Sequence, residues 1–156
     1  KRYYSGKKKR HTIKTQVVVN RVDGQIICAS SAKGRRHDFR LFKGSKLKID
    51  SKIRAVMDTG YVGIAKFHAN FVIPVKCSEK RPLAMEDKVF NRRVSGERVL
   101  SEQVISLMKR FEIVSDRYCN RRKRFSLRFN VICGICNFEK MTVSQEVYFC
   151  FYRFEV

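Results

Sequence analysis

Acidic residues are scarce in this sequence: 14 Asp and Glu stand against 35 Lys and Arg, a net charge of +21. A chain so one-sided repels itself when folded and attracts polyanions, which makes nucleic acid the expected partner. An anionic membrane surface is the weaker fit, because the charges flank strands and helices instead of lining one basic amphipathic helix. No run approaches the roughly 20 apolar residues of a membrane span. Lys1-Arg2-Tyr3-Tyr4 lacks the apolar stretch of a secretory leader. Repeats and low-complexity linkers are missing too, so 156 residues read as one domain. The three histidines (His11, His37, His68) lie far from the one CxxC, Cys133-Gly134-Ile135-Cys136, and no second pair exists. Zinc or redox chemistry is therefore disfavoured against buried helix thiols. The six cysteines have no repeating spacing, and free thiols in a reducing compartment are expected. The expected location is the bacterial cytoplasm, associated with the nucleoid.

What is present is 44% apolar, enough for a core. Residues 12–20 (TIKTQVVVN) read as a strand. Asp23-Gly24 marks a hairpin turn, and residues 25–31 read as its returning strand. Asp38 is placed to cap a short helix that starts at Phe39. Residues 53–57 form a further strand that ends at Asp58. Phe71–Lys76 reads as another, which Pro74 assigns to an edge or a strand end. Helical patterns follow at about 84–94, 97–112 and 124–140. The stretch from Val147 is aromatic-rich and can form a strand. The order is α/β, with the sheet early and the helices late.

Asp58 and Glu102 are the acids of most chemical interest. One ends a short apolar run (Arg54 to Asp58); the other lies on an amphipathic helix, where Arg98, Glu102, Ile105 and Lys109 share a stripe. Phosphodiester hydrolysis can use two divalent ions about 4 Å apart. Mg²⁺ and Mn²⁺ want carboxylate oxygens. Spacing alone, however, favours a solvated salt-bridge face for Glu102 and an ordinary turn residue for Asp58. Lys7-Lys8-Lys9-Arg10 and Arg121-Arg122-Lys123-Arg124 are the densest charge runs, suited to phosphate contact without sequence readout.

Several short motifs follow one another in order. They are Tyr4 to Thr12 (YSGKKKRHT), Gly34 to Asp38 (GRRHD), Asp58-Thr59-Gly60-Tyr61, Pro74-Val75-Lys76 and Asn91 to Ser95 (NRRVS). Arg98 with Glu102, Lys109-Arg110-Phe111 and Tyr118 to Arg122 (YCNRR) complete the set. As an ordered set over about residues 3–139, they resemble the C-terminal catalytic part of DDE-superfamily transposases and endonucleases. That group includes bacterial insertion-sequence transposases and Harbinger-like nucleases.

The resemblance implies an RNase H-like mixed sheet flanked by helices, with residues 1–140 as a partial catalytic domain and 141–156 as a tail without assigned role. It implies metal-dependent cleavage and strand transfer at transposon ends, with Mg²⁺ or Mn²⁺ as cofactor and DNA as partner. It assigns catalysis and metal binding to Asp58 and Glu102; the net charge makes the two basic clusters, with Arg98 and Lys109, the expected DNA contacts. It places the first acid of the triad on a strand before residue 1. The expectation is therefore impaired catalysis, a missing first strand and an open sheet edge prone to self-association. Two further positions depart from the family pattern: Gln103 stands where His often follows the Glu, and Thr59 where Lys or Ser often follows the Asp. The alternative is a non-catalytic, basic nucleic-acid-binding remnant of a mobile element.

Overall fold

The computed structural model describes residues 3–6, 8–78, 81–116, 122–140 and 149–155, with Arg122 and 149–155 described by backbone alone. Near the start, β1 (Tyr4–Ser5) and β2 (Arg10–His11) form a small antiparallel ribbon. Its turn carries Lys9 at a φ of 50°, in the left-handed region.

The β-branched run then forms β3 (Ile13–Asn20), buried along its whole length. Burial on both faces suits a central strand. β3 turns back into β4 (Ile26–Lys33) through Asp23-Gly24, as the sequence indicates. Gly24 takes a φ of 70°, and the Asp23 carboxylate accepts from the Gln25 backbone N–H at 2.8 Å. Asp23 thus has a structural job.

Next come α1 (Asp38–Ser45), the short strands β5 (Ala55–Val56) and β6 (Phe71–Val72), and α2 (Met85–Lys109). A single-turn α3 (Glu112–Ser115) leads on to α4 (Phe125–Glu139). The aromatic stretch after Val147 is β7 (Phe149–Glu155). The five-stranded sheet runs β4-β3-β7-β5-β6. β7 is antiparallel to β3 and parallel to β5, which is parallel to β6. β6 lies at the edge, where Pro74 placed it.

Alternation along β3 sends side chains to two cores. Val17 and Val19 pack with Val56 beneath α2 and α4, against Val104, Met108, Phe129 and Ile132. Val18 packs with Ala55 and Met57 toward Phe42 of α1 and Tyr61. Helices therefore cover both faces of a mixed α/β sheet. Among the described residues, no helix is long and apolar enough to cross a membrane.

The structure corrects three expectations. Residues 84–94 and 97–112 do not form two helices; α2 runs unbroken from Met85 to Lys109. Gly96 is tolerated because its neighbours Val94 and Glu97 are both buried and hold the helix down, while Gly96 itself faces open space. Asp38 does not cap α1: His37 takes the cap position, and the Asp38 carboxylate turns inward to Lys14. Nor is the flank of β3 open, because β7 pairs with it over seven residues.

Candidate active site

Asp58 leaves β5 at its carboxyl end. The backbone N–H of Met57 still donates to Val72 at 2.8 Å, so the strand's pairing holds up to the residue before the acid. Asp58 then caps the 3₁₀ turn Thr59–Tyr61. Its Oδ1 accepts from the Thr59 backbone N–H at 2.7 Å and from the Thr59 hydroxyl at 3.3 Å. Arg98 of α2 brings a guanidinium nitrogen to 3.8 Å from the same oxygen. The other oxygen, Oδ2, has no hydrogen bond among the described residues. The Asp58 side chain is 39% exposed, so the Arg98 contact is worth about 0–1 kcal/mol and steers the carboxylate without locking it.

The placement of α2 depends on the residue beside Arg98. Glu97 is buried at 8% side-chain exposure. Arg54, just before β5, grips it with two nitrogens at 2.7 and 3.1 Å, and Arg21 adds a contact at 3.2 Å. Asn91, one and a half turns earlier, clamps Val75: its amide donates to the Val75 carbonyl at 2.9 Å and accepts from the Val75 N–H at 2.8 Å. The segment after β6 is thereby held to the helix. Consecutive residues of one helix thus reach the two ends of β5: Glu97 is held by Arg54 before it, and Arg98 steers Asp58 after it.

Asp58 opens onto a cavity of about 560 Å³ that also borders Lys14, Arg35, Arg36, His37, Asp38 and Lys76. Four Lys and Arg side chains there face two carboxylates, which favours an anion such as phosphate. Lys14 is the least expected member, a lysine in a buried strand. Its ammonium lies 3.0 Å from Asp38 Oδ1 and donates to the Arg36 carbonyl at 2.7 Å. Asp38 in turn lies against Gly60, where an added Cβ would overlap its carboxylate. The Asp58-Thr59-Gly60-Tyr61 turn needs glycine for that close approach.

Glu102 is exposed on α2, one turn beyond Arg98, and it does not border the cavity. The i, i+4 spacing puts Glu102 on the same face of α2 as Arg98. Among the described residues, no group of three or more His, Cys, Asp or Glu converges as a metal cluster. The donors at hand are carboxylate oxygens, as hard divalent ions require. Cys133 and Cys136 are buried in the core, and burial pushes the Cys133 thiol up to about 12. Burial also raises Cys136.

Of the basic residues expected to meet DNA, Lys8, Lys9, Arg10, Lys109, Lys123 and Arg124 are exposed. Arg98 is only 17% exposed and serves Asp58. Lys7 and Arg121 lie outside the described residues, as does the Arg122 side chain. Sequence reading missed Lys14, Arg35, Arg36 and Lys76 as cavity residues. The signals were there: a lone lysine inside an apolar strand, and cations within the Gly34–Asp38 and Pro74–Lys76 motifs.

A family model described as DDE superfamily endonuclease matches residues 1–137. The chain is 44% identical over 139 residues to a protein of Microchaete diplosiphon named "Probable transposase for insertion sequence element IS702". That alignment covers 89% of this chain and 50% of the relative, so the chain spans about half the length of the curated protein it matches. No solved structure matches the chain significantly.

Proposed function

The chain belongs to the DDE superfamily endonuclease family, and on that premise we propose that it supplies catalytic residues of an insertion-sequence transposase acting on DNA ends. The observation that carries this reading is the placement of Asp58. It stands at the carboxyl end of β5, with one oxygen held and the other available, in a cavity bordered by four Lys and Arg side chains. A DNA phosphate is the anion such a cavity suits. The sheet order, with parallel β5 and β6 beyond antiparallel β3 and β4, fits an RNase H-like assignment.

Asp58 and Glu102 would hold the divalent ion, Mg²⁺ or Mn²⁺. When bound, such an ion polarises phosphoryl oxygens and lowers the pKa of water. The chain's own side chains do the positioning. The Thr59 N–H and Arg98 aim the Asp58 carboxylate, while Lys14 compensates Asp38 next to it. Arg35, Arg36 and Lys76 would receive the phosphates that flank the scissile bond. The exposed cations Lys8, Lys9, Arg10, Lys109, Lys123 and Arg124 would extend that contact along the duplex without reading its sequence. The resemblance of the ordered motifs to bacterial insertion-sequence transposases and Harbinger-like nucleases supports this reading. A DNA-bound protein of the bacterial cytoplasm follows from the same reading.

The test is calorimetric titration of Mn²⁺ into the chain and into the double variant Asp58→Asn with Glu102→Gln. Binding to the parent that the double variant loses is the expected result. Equal binding to both, or to neither, would refute a shared metal site.

A further inference from the structure

The turn between β4 and α1 separates two spaces. On one side is the Asp58 cavity. On the other, a larger cavity of about 740 Å³ opens between the end of β4, residue Tyr3 and the start of α4. Ile13, Ala32 and buried Phe125 give it an apolar floor, and Lys33, Arg35, Arg36 and Arg40 stand around it. Among the described residues, no carboxylate lines it. Arg35 and Arg36 border both cavities, so the two spaces share these cations. At the mouth, the Lys33 ammonium lies 5.7 Å from the centre of the Tyr3 ring. The Tyr3 carbonyl accepts from the Thr12 N–H at 2.8 Å, which ties this residue to the sheet.

The combination selects its ligand. Phosphate alone would need the cations and leave the apolar floor unused. A base pair inside a duplex presents only its edges, because its faces are stacked. A base outside the stack has a free face to lay on apolar or aromatic surface, and it carries a phosphate for the arginines. The volume lies within the ordinary range of small-ligand sites, roughly 300–1,000 Å³.

We propose that this second cavity receives an unpaired nucleotide of the DNA strand whose neighbouring phosphate lies in the Asp58 cavity. The inference rests on the proposed function and names the form of DNA that the site takes: an end with an unstacked base, not a closed duplex. Arg35 and Arg36 bridge the two subsites, so the unpaired nucleotide sets the register of the strand across Asp58.

The test is fluorescence anisotropy in EDTA at fixed ionic strength. It compares a blunt duplex with a duplex of equal nucleotide count that carries a single-stranded overhang with 2-aminopurine. The overhang duplex is expected to bind at least about fivefold tighter, with a change in 2-aminopurine emission, as stacking of one base implies. Ser126 also lines the cavity, and Ser126→Trp fills it without altering charge. It is expected to erase the preference while leaving blunt-duplex affinity unchanged. Tyr3→Ala should reduce the preference in the same direction. Equal affinity for both DNAs would overturn the proposal. So would a preference that survives in a Ser126→Trp protein with an unaltered melting curve, or equal competition by a glutamate-rich peptide. The readout needs no metal, so the two readings can fail separately. The preference should persist in Asp58→Asn with Glu102→Gln. Its absence from a parent that binds Mn²⁺ would sink the nucleotide subsite alone.

Discussion

Replacing Glu97 with alanine should loosen the joint that holds α2 against the strand bearing Asp58. Glu97 is 8% exposed and accepts from Arg54 at 2.7 and 3.1 Å and from Arg21 at 3.2 Å; Arg93 lies 3.7 Å away. Removing one partner of a buried ion pair typically costs 3–5 kcal/mol, because the other charge is stranded. Here the stranded arginines keep access to water: Arg54 is 30% exposed and Arg21 34%. Water recovers part of the loss, so about 2–3 kcal/mol is expected. For a domain of this size that is a fall in melting temperature of roughly 4–12 °C. Glu97→Gln keeps the shape and two acceptor lone pairs, so it should lose less. The assay is urea denaturation of parent, Glu97→Ala, Arg54→Met and the double variant. The cycle should show a coupling above about 1 kcal/mol between residues 54 and 97. The Glu97→Ala protein should also bind Mn²⁺ more weakly, since Arg98 and Glu102 ride on the same helix. A Glu97→Ala protein within about 0.5 kcal/mol of the parent would behave as a surface substitution. It would refute the idea that this cluster fixes the helix.

Gly60→Ala should cost about 1–3 kcal/mol and weaken Mn²⁺ binding together, because the new methyl meets the Asp38 carboxylate; urea denaturation and calorimetry check the two effects. Deleting residues 149–155 should leave β3 and β5 without their shared neighbour and expose a strand edge that is otherwise paired. The deletion variant should self-associate on size-exclusion chromatography, where the full chain elutes as a smaller species. Thiol labelling at pH 8 should modify exposed Cys77 quickly and leave Cys133 protected until the protein unfolds, because burial holds the Cys133 thiol near 12. Mass spectrometry of labelled peptides with and without denaturant reads this directly.

The β3–β4 hairpin was legible because its signals are local. Val17 to Val19 favour a strand, Asp23-Gly24 can hardly do anything but turn, and Pro74 removes a donor that only an edge can spare. The inner face of α4 was legible from the spacing of Phe125, Phe129, Ile132, Cys133 and Cys136, all of which are buried. The place of Asp58 at the end of its strand was legible because an apolar run before a glycine turn is a short-range pattern; its assignment to the site came from the family resemblance. The continuity of α2 was not legible. Gly96 argues locally for a break, and what overrides it is a distant contact, Arg54 with Glu97.

The amino-acid order by itself determined the charge, the β3–β4 hairpin and the inner face of α4, since each is a property of composition or of residues within a few positions of one another. Only the tertiary structure decided which cations meet Asp58. Lys14, Arg36 and Lys76 are separated by tens of residues and converge because β3, the turn before α1 and the segment after β6 end at one side of the sheet. It alone decided, too, that Asp38 faces Lys14 instead of capping its helix. The same holds for β7, from the far end of the described chain, which lies between β3 and β5. A strand's partner is chosen by the pairing and burial available across the whole sheet, and no neighbouring residue encodes that choice.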